Sequence, residues 1–448
     1  MDARTLHPKP PTAAHCQLGL AVYQPRRPQE TPLFRLVEDH FETLLRVHEE
    51  EFEPRYGRLR RAARRAVEKF LDCGVLERGF ARVRCDRCRA EFLVTFSCKA
   101  RVLCPSCHAK RLEIWSDWLE HQLLYAVPHR QYVFTVPKRL RPFFLHDRRL
   151  LGVLSRVAYE TLRDFMRTTL REPDVVPGVV ASIQSFGSLL NFHPHLHCLV
   201  TDGAFRPDGT FLHLGYHEIE VLTEAFRRAV LRAFVRLDLL TDDDARSMLQ
   251  WPHSGFHVDH SVRLEADDAC GILQLARYSA RAPISLERLQ YDARKHQVTL
   301  HSDKREGPTA GTHLFPALEF LAMLLTHVPN VHERLVREYG AYSTRRRARW
   351  RQAGILSETR PLAAISPAAG DHLPDWPALR AMRQRWAELL KRIYEIDPLR
   401  CGRCGGEMRI VSFILNTNVI AAILRHLRRK GRDPRALPEH AIPSRDPP

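Results

Sequence analysis

The sequence predicts an α+β protein: an antiparallel sheet with helices packed on one face, a small helical, cysteine-rich module before it and a mixed region after it. Three observations carry that expectation. Strand-like and helix-like runs follow one another as strand, helix, strand, strand, helix between residues 130 and 240. One of those strands alternates histidine with apolar residues, a period of two that only extended backbone uses. Cysteines gather into C-x2-C pairs, a spacing that suits metal knuckles better than disulfides.

Taken in order, residues 1–30 are rich in proline and polar side chains and are expected to be disordered. Residues 31–112 read as a helical and zinc-binding domain. Leu33, Phe34, Leu36, Val37, Phe41, Leu44 and Leu45 fall at helical spacing, which predicts helix over 33–72. Within that run Arg58, Arg61 and Arg65 lie near one helical face, either a solvated surface or a face for DNA phosphates. Cys73-Gly74 then stops the helix. The pattern Cys85-x2-Cys88-x15-Cys104-x2-Cys107 offers four thiolates to one tetrahedral, structural Zn2+, with Cys98 and His108 as alternative ligands.

Residues 113–305 hold the expected sheet: a helix over 115–124, strands over 130–137 and 178–187, a long amphipathic helix over 145–170, then the histidine strand from Asn191. Helices over 217–240 and 266–281 and a short strand Gln297–His301 follow. Residues 306–430 form the mixed region, with a helix Leu318–Thr326, an arginine cluster at Arg345, Arg346 and Arg347, and a late Cys401-x2-Cys404. That last pair is half of a second zinc site and needs partners from elsewhere, for example His426. Residues 431–448 are proline-rich and read as a disordered tail.

Composition narrows the function classes. Sixty-nine Lys and Arg against 52 Asp and Glu leave a formal charge of +17, a field that attracts polyanions, so nucleic acid is the first partner to consider. No apolar run approaches the ~20 residues of a membrane span, and no secretory signal pattern opens the chain. Together these predict no membrane partner and a cytoplasmic, nucleoid-associated protein with reduced cysteines.

Two constellations carry chemistry. In Asn191-Phe192-His193-Pro194-His195-Leu196-His197-Cys198, His195 and His197 share one face of a strand while Leu196, Cys198 and Val200 take the other. Two imidazoles on a rigid platform suit a divalent ion, Mg2+ or Mn2+ if the substrate is a phosphodiester. A third ligand is not fixed by the pattern; His193, Gln184 and Gln274 are candidates. In the second constellation Gln274, Arg277, Tyr278 and Arg281 stand at i, i+3, i+4 and i+7 of a helix that the aspartates at 267 and 268 can cap and Pro283 can end. A tyrosine between two arginines is either a surface ring packed on arginine stems or a nucleophile whose phenol, pKa about 10 when free, loses its proton with cationic help. The same arginines could hold phosphates bidentately.

These motifs together resemble the rolling-circle HUH transposases of the insertion-sequence-91 type, over roughly residues 35–430. The resemblance rests on Phe96–Cys107, on Phe186–His197, on Ala276–Leu289 around Tyr278, and on Arg337–Ser343 with the late C-x2-C. It implies an HUH endonuclease-like antiparallel sheet. It also implies that His195 and His197 hold a divalent cation, and that Tyr278 attacks a phosphate of single-stranded DNA at the element ends, leaving a 5′-phosphotyrosine and a free 3′-hydroxyl. Arg277 and Arg281 would then stabilise the charge of the transition state, and target DNA would receive the strand. Some members of that family carry two tyrosines four residues apart. Here those positions hold Gln274 and Ala282, which matches single-tyrosine members. A second cleavage would come from a second protomer, as a homodimer, or from reuse of one tyrosine. Two other readings stand beside this one: a non-catalytic zinc-ribbon DNA-binding protein descended from a transposase, and a metal-dependent hydrolase of small molecules using His253, His257, Asp259 and His260.

Overall fold

The structure, a computed structural model, describes residues 28–355 (303 excepted) and 401–431 (402 excepted). The expectations for residues 1–27, for 356–400 and for the tail from 432 lie outside the described residues.

The first helix, α1 (Pro32–Val47), starts on a Thr31 cap whose hydroxyl accepts from the Phe34 N–H, with Pro32 at its first position. The single helix expected over 33–72 is interrupted. Gly57, which sits at φ 73°, breaks the run before α2 (Arg61–Leu71) resumes it. A hairpin follows, β1 (Phe80–Cys85) with β2 (Glu91–Thr95), and then α3 (Pro105–Trp118). The central sheet begins at β3 (His129–Thr135), continues after α4 (Arg149–Leu170) with β4 (Gly178–Phe186) and β5 (Phe192–Thr201), and takes its edge from β6 (His257–Asp259), beyond α5 (Ile219–Arg236). The tyrosine lies on α6 (Ala269–Ser279). A small antiparallel sheet, β7 (Leu289–Asp292), β8 (Gln297–His301) and β9 (Thr312–Pro316), leads into α7 (Ala317–Thr326). Then come β10 (Val336–Gly340), α8 (Thr344–Gln352), β11 (Met408–Ile414) and α9 (Thr417–Arg429).

The main strand order of the central sheet is β10-β4-β5-β3-β6, all antiparallel. The α+β class therefore stands, with one difference: helices cover both faces. On one face Tyr132, Phe134, Ala181, Leu196, Cys198 and Val200 pack against α4 and α5, whose buried residues recur at helical spacing. On the other, Val180 and Leu199 meet Leu119, Ile272, Leu275 and Ala276, from the end of α3 onward and from α6. An odd-even alternation gives each strand of this sheet two apolar faces, so both need a cover.

The expected borders at 112, 305 and 306 do not match the packing. β10 belongs to the central sheet although it lies past residue 305. β11 pairs with β1, so the late segment returns to the cysteine-rich module. α7 and the small sheet share a core with α1. Arg60 ties that core together, donating to the Leu325, Thr326 and Val328 carbonyls at the end of α7. Orphan carbonyls at a helix C-terminus are good partners for a cation.

Candidate active site and metal centres

The histidine strand places its imidazoles as the alternation requires. His195 Nε2 and His197 Nε2 stand 3.1 Å apart. The far side of each ring is held. His195 Nδ1 lies 2.8 Å from the His193 carbonyl, which can only accept, so Nδ1 carries the proton and Nε2 is left bare. His197 Nδ1 lies 3.0 Å from the side-chain amide of Gln131 on β3, a residue the sequence reading did not single out. Its signal was a glutamine directly before the apolar run Tyr132-Val133-Phe134. Burial, opposed by the His193 carbonyl and assisted by Arg281, holds the His195 imidazole down to a pKa of about 4, so it is a neutral donor at pH 7.

α6 brings Tyr278 to the same place. Its ring centroid is 5.5 Å from that of His197 with the planes at 90°. The tyrosine is 39% exposed. Asp268 caps the helix through the Gly271 N–H, as its aspartates suggested. At the other end the Gln184 amide, opposite His195 across the β4–β5 pair, donates to the carbonyls of Tyr278 and Ser279. Gln184 thus anchors the tyrosine helix to the histidine face.

The expected polar stripe divides. Arg281 lies 4.9 Å over the Tyr278 ring, beside the site. Arg277 turns to the other element and pairs with Glu113 of α3 at 2.6 Å. Gln274 donates to Cys270 one turn back within α6. The His193 ring is 5.2 Å from that of His195, yet among the described residues no third histidine, cysteine or carboxylate brings a ligand atom within 4.8 Å of both Nε2 atoms. The third ligand therefore remains the open position of the pair. Near His193 the cations Arg141, Lys304 and Lys138 add to burial and the neighbouring His195 in keeping that ring neutral, and the buried Arg141 Nε has no hydrogen-bond partner. Arg141 is a phosphate-binding candidate that spacing could not reveal.

The cysteines require a correction. Cys85, Cys88, Cys104 and Cys107 do not converge on one ion. They separate into two groups of four: Cys73, Cys98, Cys104 and Cys107, and Cys85, Cys88, Cys401 and Cys404. The reason is the β1–β11 pairing, which sets Cys85 opposite Met408 and so brings the late knuckle beside the early one. Sulfurs approach to 3.8, 3.9 and 3.5 Å in the first group and to 3.5 and 3.6 Å in the second. Thiolates on a tetrahedral zinc, each ~2.3 Å from the metal, stand about 3.8 Å apart, so both sets fit that ion. In the second group the Cys88 N–H donates to Cys85 Sγ and lowers that thiol to a pKa of about 7. The alternative ligand His108 points its Nε2 at the Ala280 carbonyl instead, and His426 lies on α9 outside the clusters.

Of the proposed DNA-facing arginines, Arg58, Arg61, Arg65 and Arg345 are exposed. Arg346 packs over Trp350, and Arg347 bonds to the Gln122 carbonyl. Tyr291, the other tyrosine considered, donates to Asp39 and pairs with His40 on α1. The histidines and aspartate at 253–260 form no metal-ligating group among the described residues. No helix among them is long and apolar enough to cross a membrane.

Comparison with known proteins places transposases beside this chain. A family model described as "Putative transposase" matches residues 178–349, which contain the histidine pair and Tyr278. A second, "Transposase zinc-binding domain", matches residues 44–136. The chain is 26% identical over 380 residues to the "Transposase for insertion sequence element IS801" of Pseudomonas savastanoi pv. phaseolicola, covering 79% of this chain and 84% of the relative. It is 26% identical over 378 residues to the "Putative transposase y4qJ" of Sinorhizobium fredii, covering 78% and 89%. No solved structure matches. A zinc-binding module, a transposase core and a relative along most of its length together support an insertion-sequence-91 type transposase with an N-terminal zinc-binding domain.

Proposed function

We propose that this transposase nicks and rejoins single-stranded DNA at element ends through Tyr278, by a metal-dependent HUH mechanism of the rolling-circle type. The observation that carries the reading is the convergence of two imidazole Nε2 atoms, 3.1 Å apart, and an accessible tyrosine on one sheet face. Neighbouring ligands of an octahedral ion, each ~2.1 Å from it, stand about 3.0 Å apart. The 3.1 Å between the two Nε2 atoms suits Mg2+ or Mn2+, with further positions left for phosphate oxygens. Such an ion, when bound, would polarise the scissile phosphate.

The protein supplies the rest. Tyr278 Oη forms a bond to phosphorus, its proton passes to solvent, and the P–O3′ bond breaks. The departing oxygen takes a proton and leaves as a 3′-hydroxyl, while the 5′-phosphate stays on the tyrosine. Arg281, 4.9 Å over the ring, is close enough to meet developing charge on phosphate. Arg277, tied to Glu113, serves to position the helix. Because the ester linkage conserves the bond, a later 3′-hydroxyl can displace Tyr278 and join strands, on the element or on target DNA. With Gln274 and Ala282 at the flanking positions, one tyrosine serves per chain, and the second cleavage falls to a partner protomer or to the same residue again. Both cysteine groups would hold structural Zn2+, two ions per chain.

The test is a covalent adduct on denaturing gels, with single strands carrying the element ends and Mg2+ or Mn2+. Wild type forms the adduct; Tyr278→Phe and the double variant His195→Ala/His197→Ala lose it. An adduct that survives Tyr278→Phe sinks the assignment. DNA binding with no adduct on the correct end sequence would favour a non-catalytic binding protein.

A further inference from the structure

A cavity of about 460 Å³ lies beside the tyrosine, between α3, the β4 and β10 edge of the central sheet, and the residues that follow Tyr278. His108, Arg111, Leu112 and Trp115 enter it from α3, at i, i+3, i+4 and i+7, which is one helical face. Gln184 and Arg281, both already placed at the site, line its other side.

Two polar atoms in this wall are buried and lack a hydrogen-bond partner: His108 Nδ1 and Trp115 Nε1. Their roles are fixed. His108 Nε2 lies 2.9 Å from the Ala280 carbonyl and must donate to it, so in the neutral ring Nδ1 is an acceptor. The indole N–H is a donor only. A buried donor and a buried acceptor left without partners are costly unless something else satisfies them. At the mouth, Arg101 and the exposed Arg111 lie near enough to repel one another, and Arg111 makes no hydrogen bond or ion pair among the described residues. The cavity thus offers an aromatic and aliphatic wall, one donor, one acceptor and a cationic rim in which Arg101 already donates to the Asn330 and Glu333 carbonyls while Arg111 does not. Every nucleobase carries donors and acceptors on its edge, and every nucleotide adds an anionic phosphate.

Resting on the nuclease reading above, we propose that this cavity takes one unstacked nucleotide next to the scissile phosphate, its base stacked on Trp115 beside Leu112 with its edge on His108 Nδ1, an oxygen of the adjoining backbone on the Trp115 N–H, and its phosphate at Arg101 and Arg111. The site would fix which phosphate meets Tyr278, because Ser279, Ala280 and Arg281 follow the tyrosine directly. Unstacking one base from a single strand is cheap, and stacking it on an aromatic ring returns more.

The experiment is an abasic scan: end-sequence single strands lacking one base at each of the positions flanking the cleavage site, scored for adduct rate with wild type, Trp115→Leu, Trp115→Phe and Arg111→Ala. One position is expected at which the lesion slows wild type roughly tenfold or more. Trp115→Leu should cost a similar factor on intact DNA and nothing further on the lesion at that position, while Trp115→Phe keeps most of the rate. Arg111→Ala, at an exposed residue that folding does not need, should raise the DNA concentration for half-maximal rate and lower the salt slope by about one. The proposal is overturned if wild type forms the adduct equally on every lesion, or if the Trp115→Leu and lesion penalties multiply. Should wild type form no adduct, the nuclease reading fails by itself. The same lesions scored by equilibrium binding then decide the cavity alone: one position sensitive only when Trp115 is present supports it, and uniform affinity removes it.

Discussion

At the scale of the residue, the site depends on how each histidine ring is held. His195 settles this with its own strand, through the carbonyl two residues back, whereas His197 borrows Gln131 from the neighbouring strand. Partners of this kind orient a metal ligand, and losing one typically costs 10- to 100-fold in metal affinity. Gln131→Leu should therefore raise the Mn2+ concentration for half-maximal adduct formation about tenfold or more at unchanged zinc content; an unchanged Mn2+ requirement would show that the amide is only packing. A second residue-scale prediction concerns acid. His327, fully buried with its ring held by Ser185 and the Leu190 carbonyl, is pushed to a pKa of about 3 by burial, against an ordinary 6.5. The unfolded chain binds a proton there that the folded chain refuses, so its contribution is complete above about pH 6.5 and is lost as pH falls toward 3. Urea midpoints measured between pH 7 and 5 should drop, and His327→Gln should flatten that slope by one proton's worth; an identical slope in the variant would contradict the assignment.

At the scale of the element, local patterns were legible and long-range pairings were not. The β5 alternation, the α6 stripe and the 149–170 helix follow from spacing within ten or twenty residues, and the structure places them within a few residues of the expected bounds. The run over 33–72 failed at Gly57, whose breaking chemistry was present in the sequence but outweighed by periodicity. The cysteine partition could not be read, since Cys88 meets Cys401 across 313 positions and only the β1–β11 register brings them together. That register gives an element-scale prediction. Cys401→Ser should reduce bound zinc from two ions per chain to one, measured by plasma mass spectrometry on the purified protein, and should expose the β11 segment to protease. Cys73→Ser should also remove one ion, but from beside α3. Full zinc content in Cys401→Ser would refute the discontinuous site.

At the scale of the whole molecule, the zinc-binding module and the central sheet are one working unit. Cys104 and Cys107 open α3, and the same helix reaches the tyrosine element through His108 and Glu113. The excess of 17 positive charges surrounds this unit and should make single-strand affinity fall steeply between 50 and 200 mM salt, by orders of magnitude if six or more phosphates are neutralised; a flat dependence would argue against backbone contacts by the exposed arginines. Charge and composition pointed to nucleic acid, but a phosphate-binding candidate such as Arg141 emerges only when the chain is folded. The most direct measurement is mass spectrometry of the adduct formed on an end-sequence single strand in Mn2+. The account predicts a nucleotide phosphate esterified to Tyr278 and a free 3′-hydroxyl on the released strand. A phosphate on any other residue, or cleavage with no protein attached, would contradict it.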